Sequence, residues 1–106
     1  MKLIISPRAV RDLEAIGDYI ARDNPTRAVS FIREIREQYR RIARLPSAFP
    51  ARDDLAAGLR MSVHGKYLIL FRVIEKKVRV ERVIHGARPE QRRPWFGGVA
   101  PAKPTR

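Results

Sequence analysis

A chain of 106 residues suits a single domain, since domains run at roughly 100–200 residues and one of this size buries about 65% of the surface its unfolded form exposes. It holds no cysteine, which removes disulfides and thiolate metal sites, and its longest strongly apolar run, Tyr67 to Phe71, falls far short of the roughly 20 residues of a membrane span. The formal charge of +12 comes from 23 basic residues, 18 of them arginine, against 11 acidic ones, and directs attention to nucleic acid or an acidic protein surface as partner.

Lys2 to Ile5 predicts a short first strand ending at Ser6-Pro7. Ser6 is placed to cap a helix and Pro7 to open it, because proline lacks only an amide hydrogen that would be unpaired there. The N-terminus does not read as a signal peptide, as three apolar residues after Lys2 are too few, and a soluble cytoplasmic protein is expected. Val10, Leu13, Ile16 and Ile20 recur at helical spacing and predict a helix from Pro7 to Arg22. Tyr19 on that helix is expected in the core with its hydroxyl at the edge. Asp23-Asn24-Pro25 repeats the stop-and-restart pattern. The stripe Ala28, Phe31, Ile32, Ile35, Tyr39, Ile42 and Leu45 then predicts a second helix ending at Pro46, its outer face carrying Arg27, Arg33, Arg36, Arg40, Arg41 and Arg44 among Glu34 and Glu37. So short a link folds the two helices into an antiparallel hairpin, apolar stripes toward a sheet.

Pro46 to Ala57 lacks periodicity and reads as a loop. Leu59, Met61 and Val63 alternate with Arg60 and Ser62 as a half-buried strand does, and His64-Gly65 makes a turn. Lys66 to Ile74 follows, its alternation broken by Leu68 and Leu70, so this strand is either covered on both faces or offers an apolar strip to a partner. Glu75-Lys76-Lys77 makes the next turn. Val78, Val80 and the neighbours Val83 and Ile84 form the last strand. After Arg88, Pro89, Pro94, Pro101 and Pro104 punctuate a basic tail, residues 89–106, expected to be partly disordered. Within it the pair Trp95-Phe96 could dock back over Leu68 and Leu70. Residues 1–88 thus read as one α+β domain with the order β-α-α-β-β-β, a helical hairpin packed on a mainly antiparallel sheet. Charge is uneven along it: residues 58–106 carry twelve basic and three acidic side chains, residues 1–57 eleven and eight.

The order of elements is accompanied by Leu13, Ile16, Tyr19 and Ile20 on the first helix and Gly58-Leu59-Arg60 opening the second strand. Gly65, Tyr67, Ile69, Phe71, Arg72 and Val73 follow, and Arg-Val-Ile-His-Gly-Ala-Arg closes the set at Arg82 to Arg88. Together these resemble the ParE/RelE superfamily of bacterial toxins, and within it the ParE-like, plasmid-stabilisation branch, over residues 2–88. The resemblance implies the toxin of a type II toxin–antitoxin module, neutralised by a cognate ParD-like antitoxin encoded beside it. ParE-like members act on DNA gyrase, whereas RelE-like members cleave mRNA on the ribosome, so the fold does not decide the target.

Side chains do. A ribonuclease needs a group to take the 2′-hydroxyl proton, another to protonate the leaving oxygen, and cations for the developing charge. His85, with Arg82 and Arg88 beside it, is the candidate, in a place like that of the catalytic His or Tyr of some ribonuclease members. No second acid or base is evident: beyond Arg88 neither Tyr nor His follows, Glu81 is the one nearby carboxylate, and His64 reads as a solvated turn residue. The reading favoured is therefore a non-catalytic gyrase poison in which Arg60, Arg72, Arg82, His85 and Arg88 grip acidic enzyme surface or DNA phosphate. An mRNA endonuclease and a harmless nucleic-acid-binding module are the alternatives. The latter lacks a stacking platform, because Tyr67 and Phe71 are expected to face inward. The antitoxin is assigned to Leu68 and Leu70 and to Arg33, Arg36 and Arg40, which suit an acidic amphipathic segment that folds as it docks. Two histidines distant in sequence, without cysteine, do not make a metal site, and nothing requires a cofactor.

Overall fold

Both helices start where a capping side chain precedes proline. In the computed structural model, which describes residues 1–86, Ser6 Oγ accepts a hydrogen bond from Ala9 N at 3.0 Å, and Asn24 Oδ1 accepts one from Arg27 N at 3.0 Å. Each cap satisfies an amide that the helix itself leaves unpaired. Helix α1 spans Pro7–Ala21 and α2 spans Pro25–Arg44. Between them the chain reverses on Ile20 O, which accepts from both Asp23 N and Asn24 N. A single 3-10 turn, Pro46–Ala48, follows α2.

Strands β1 (Lys2–Ile5), β2 (Arg60–His64), β3 (Tyr67–Ile74) and β4 (Lys77–His85) form one sheet in the order β1-β4-β3-β2. β2, β3 and β4 are an antiparallel meander, while β1 lies parallel to β4, with Leu3 opposite Val78 and Ile5 opposite Val80. The helices cover one face. Leu13 and Ile16 of α1 and Phe31, Ile35, Tyr39 and Ile42 of α2 pack on Ile69, Phe71, Val78, Val80 and Val83. The other face carries a smaller cluster, in which Leu59, Leu70 and Ile84 are buried with Leu55, Ala56, Met61 and Leu68 packed around them. Part of the expected apolar strip is therefore already closed: Leu70 is fully buried, and Leu68 is half-buried.

The loop before β2 closes it. Asp53 Oδ1 accepts from Gly58 N at 2.8 Å, Arg52 N donates to Leu59 O and Met61 N to Pro50 O, so this segment is laid along the edge of β2. Gly58 adopts φ +78, a conformation that L side chains avoid.

Strand β4 changes phase midway. Phe71 pairs with Val80 but Leu70 pairs with Arg82, which makes Glu81 an extra residue, a β-bulge. Val78, Val80 and Val83 consequently share the core despite a spacing of two and then three. On α1 the buried face is Ala9, Leu13, Ile16 and Gly17, and the stripe read through Val10 is corrected: Val10 is 45% and Tyr19 50% exposed, at its two margins. Small side chains win the centre because the helices approach closely there. A Cβ on Gly17 would come within 2.9 Å of Ile32 Cδ1. Leu45, read as the last member of the second stripe, is likewise exposed beyond the end of α2. Arg88, the tail 89–106 and the pair Trp95-Phe96 lie outside the described residues.

The β3–β4 reversal uses two residues, Glu75 at φ +51 and Lys76 at φ +65, and β4 resumes at Lys77. Two positive φ angles define a turn that asparagine and glycine fill without strain. Replacing Glu75→Asn together with Lys76→Gly is expected to raise the unfolding free energy by about 1–2 kcal/mol, measured by urea denaturation.

Candidate functional site

Three regions collect the side chains capable of recognition or chemistry. The first lies at the bulge. Arg82 donates from Nε and Nη2 to the two oxygens of Asp12 at 2.7 and 3.0 Å, and Val83 N donates to the same carboxylate at 3.0 Å. Arg72 Nε lies 3.3 Å from Glu81 Oε2, and Arg79 Nε donates to Glu81 Oε1 at 3.3 Å. Arg72 and Arg82 are each only 5% exposed. A guanidinium buried in an ion pair cannot reach for a partner without leaving a carboxylate uncompensated. The expected open cationic face, formed by Arg60, Arg72, Arg82, His85 and Arg88, is thus corrected: Arg72 and Arg82 are turned into the protein. Arg60 is half-buried and donates from Nη1 to Phe49 O at 2.6 Å. His85 lies elsewhere, at the end of β4, and Arg88 falls outside the described residues.

The second region is that end of the sheet. Register places His64 opposite Tyr67, and Tyr67 opposite His85, so the three side chains form one row across β2, β3 and β4. Tyr67 meets His85 nearly perpendicularly with ring centroids 5.0 Å apart, and Phe31 of α2 lies 5.0 Å from Tyr67 and 5.9 Å from His64. Tyr19, from the last turns of α1, and Arg27, from the first turn of α2, complete an open cavity of about 410 Å³. His64 is not the solvated turn residue expected. Its Nε2 lies 2.9 Å from Glu34 Oε1, and Arg27 donates to the two oxygens of the same carboxylate at 2.7 and 3.2 Å. Arg27 first, and His64 second, hold the Glu34 carboxyl down at about 2. Tight pairing across the β2–β3 turn could have suggested the His64–Tyr67 neighbours. His85 could not be added without knowing how β4 pairs.

The third region is an apolar groove between the helices and β1, about 370 Å³ in volume. Leu3, Ile5, Leu13 and Ile32 line it, with Val10 and Glu14 from α1 and Arg36 and Arg40 from α2. Tyr39 also lines it, and its hydroxyl is buried without a hydrogen-bond partner; burial and the nearby Asp12 charge push its pKa up. Arg33, expected to act with Arg36 and Arg40, does not line this groove and instead borders a separate shallow depression with Arg41 and His64. Among the described residues no group of three or more His, Asp or Glu side chains is placed to hold a metal ion, and no helix is long and apolar enough to cross a membrane.

Residues 3–90 match the sequence model of the ParE toxin of the type II toxin–antitoxin system ParDE. A solved structure described as the chromosomal ParDE TA system from P. aeruginosa is similar in fold, with a TM-score of 0.72 and 24% identity, covering 80% of this chain and 95% of that one. Curated proteins gave no match.

Asp12→Ala strands Arg82 in the interior and is expected to destabilise the fold by about 3–5 kcal/mol, read by chemical denaturation. Glu34 behaves differently. Its folded pKa lies below the ordinary 4.5, so its contribution is complete above that pH and fades as pH falls toward about 2. Acid titrations of the wild type and Glu34→Gln should therefore differ near neutrality and converge at low pH.

Proposed function

This chain belongs to the ParE toxin family of type II toxin–antitoxin systems, and on that premise we propose that it acts by binding and poisoning DNA gyrase, held inactive by a ParD-like antitoxin. The observation that carries the antitoxin half is the third region. An apolar floor, two arginines on the rim and a buried hydroxyl lacking an acceptor are complementary to an acidic amphipathic segment. Its apolar face would fill the groove, its carboxylates would meet Arg36 and Arg40, and one acceptor would satisfy Tyr39. The neighbouring β1 stands at the sheet edge, where a backbone can be added. This reading moves the antitoxin from Leu68, Leu70 and Arg33 to the groove, keeping Arg36 and Arg40.

Poisoning by binding, without turnover, is supported by the fate of the sheet arginines. Among the described residues, Arg72 and Arg82, two of the arginines that would have cradled a scissile phosphate at His85, are tied into Glu81 and Asp12. Cations open to gyrase or DNA are solvent-facing ones such as Lys66 and Lys76, with partly exposed Lys77.

One observation favours the ribonuclease alternative. His64 and His85 line the same cavity, which supplies the second proton-transfer group that the sequence did not offer. His64 is, however, engaged by Glu34, and Arg27, the one arginine lining the cavity among the described residues, is engaged by it too.

Induced expression separates the readings. Gyrase-dependent DNA breaks with intact transcripts, unchanged in His85→Ala, are expected. Cleaved transcripts that disappear in His85→Ala would replace gyrase with mRNA as the target. Arg36→Glu with Arg40→Glu is expected to weaken antitoxin binding at least about tenfold, or 1.4 kcal/mol. Tyr39→Phe is expected to stabilise the free toxin by about 1 kcal/mol while loosening the complex, measured by denaturation and titration calorimetry.

A further inference from the structure

We propose that the cavity at the end of the sheet is a nucleotide site, taking a flat heteroaromatic base that carries a phosphate, either free or as one unit of a single strand. It shares no lining residue with the groove between the helices, so it stands apart from the antitoxin assignment, and it does not depend on which target the toxin poisons.

The composition of the walls selects the ligand. Four rings with polar edges, those of Tyr19, His64, Tyr67 and His85, surround the cavity together with Arg27 and Lys66, and among the described residues no carboxylate lines it. The nearest acid, Glu34, is held from behind by Arg27 and His64, which leaves Lys66 as the exposed lining cation for a phosphate. A cation entering would find nothing to pair with, and an aliphatic anion would leave the rings unused. A planar anion uses both. Bases stack on such rings without regard to sequence, each contact being worth about 1–3 kcal/mol, while the Tyr67 hydroxyl can both donate to and accept from the base. The volume of about 410 Å³ lies within the roughly 300–1,000 Å³ of small-molecule sites.

The walls are also held in place. Phe31, 3% exposed, backs the row of rings. Gly65 at φ +59 allows the tight β2–β3 turn, and Gly86 N donates to Lys66 O at 2.8 Å, pinning that turn to the end of β4. A Cβ at Gly86 would lie 3.3 Å from Leu68 Cγ and 3.4 Å from Lys66 O, so a bulkier residue would push the turn away. Glu34 fixes the ring of His64 from α2. A site organised before its ligand arrives loses less ordering entropy on binding.

The test uses the purified full chain and NMR of histidine and tyrosine ring signals, titrated with adenosine 5′-monophosphate, inorganic phosphate, and short single-stranded DNA and RNA oligonucleotides. The rings of Tyr19, His64, Tyr67 and His85 are expected to shift together and saturate. Tyr19→Ala, at a half-exposed position that the fold tolerates, and Lys66→Ala should each weaken binding at least about fivefold, whereas Arg8→Ala should not. Saturation by the mononucleotide identifies a free-nucleotide site. Saturation by oligonucleotides alone, still centred on the four rings, identifies a strand-binding site, and either result supports the proposal. Equal shifts from inorganic phosphate, shifts spread over the basic surface and indifferent to Tyr19→Ala, or no shift at millimolar ligand would each overturn it.

Discussion

Asp12 fastens α1 to β4 at the point where the strand loses its regular pairing. Strand β1 pairs with β4 only as far as Val80, which leaves Val83 N without a strand partner on that side, and one carboxylate satisfies it together with Arg82. Six residues earlier, Ser6 makes the adjoining contacts: its amide donates to Val80 O, and its hydroxyl donates to Glu81 O while capping α1. Helix α1 is therefore seated by polar bonds before its apolar face is counted. That matters because the buried stripe is thin, with alanine and glycine among its members, and apolar packing alone discriminates poorly between neighbouring registers of a helix on a sheet. A buried ion pair adds little net stability, yet it penalises every arrangement that leaves it unmade. The groove and the ring-lined cavity both inherit that placement: one flank of α1 walls the groove with Val10 and Leu13, and its last turns bring Tyr19 to the cavity.

The charge of the protein divides into two populations with different work. Arg72, Arg79 and Arg82 are bound to Glu81 and Asp12, Arg27 to Glu34, Arg52 to Asp54 and Arg40 to Glu37. The exposed pairs among these contribute little to stability, but those at the bulge hold the sheet and α1 together. Net charge still sets the long-range field that draws an acidic partner. What it does not reveal is which cations will touch that partner, and the most arginine-rich strand proves to be an interior one.

Local grammar was readable from the sequence. Ser6-Pro7 and Asn24-Pro25 announced both helix starts, and alternation announced β2, because caps and periodicity depend on residues within a turn or two of each other. The groove and the ring pocket were not readable in the same way. Asp12 and Arg82 are 70 positions apart, Glu34 and His64 are 30 apart, and neither pair carries any mark in composition. His64 looked like a turn residue because it is one; only the return of α2 above it supplies Glu34. Val10 looked like core because spacing alone cannot tell the centre of a stripe from its margin. The adjacency of Val83 and Ile84 was the visible trace of the bulge, an interruption of alternation without a cause until the partner strand was known.

That single inserted residue sets the sidedness of everything downstream in the chain. Were β4 to pair through this point without a bulge, Glu81 would sit opposite Leu70 and inside would exchange for outside from Arg82 onward: Val83 would leave the helix-covered face, Ile84 would enter it, and His85 would leave Tyr67 for the opposite surface. The looped-out residue is thus what keeps Val83 and His85 on the side of the helices, whereas an added residue in the 50–58 loop would alter only a cover.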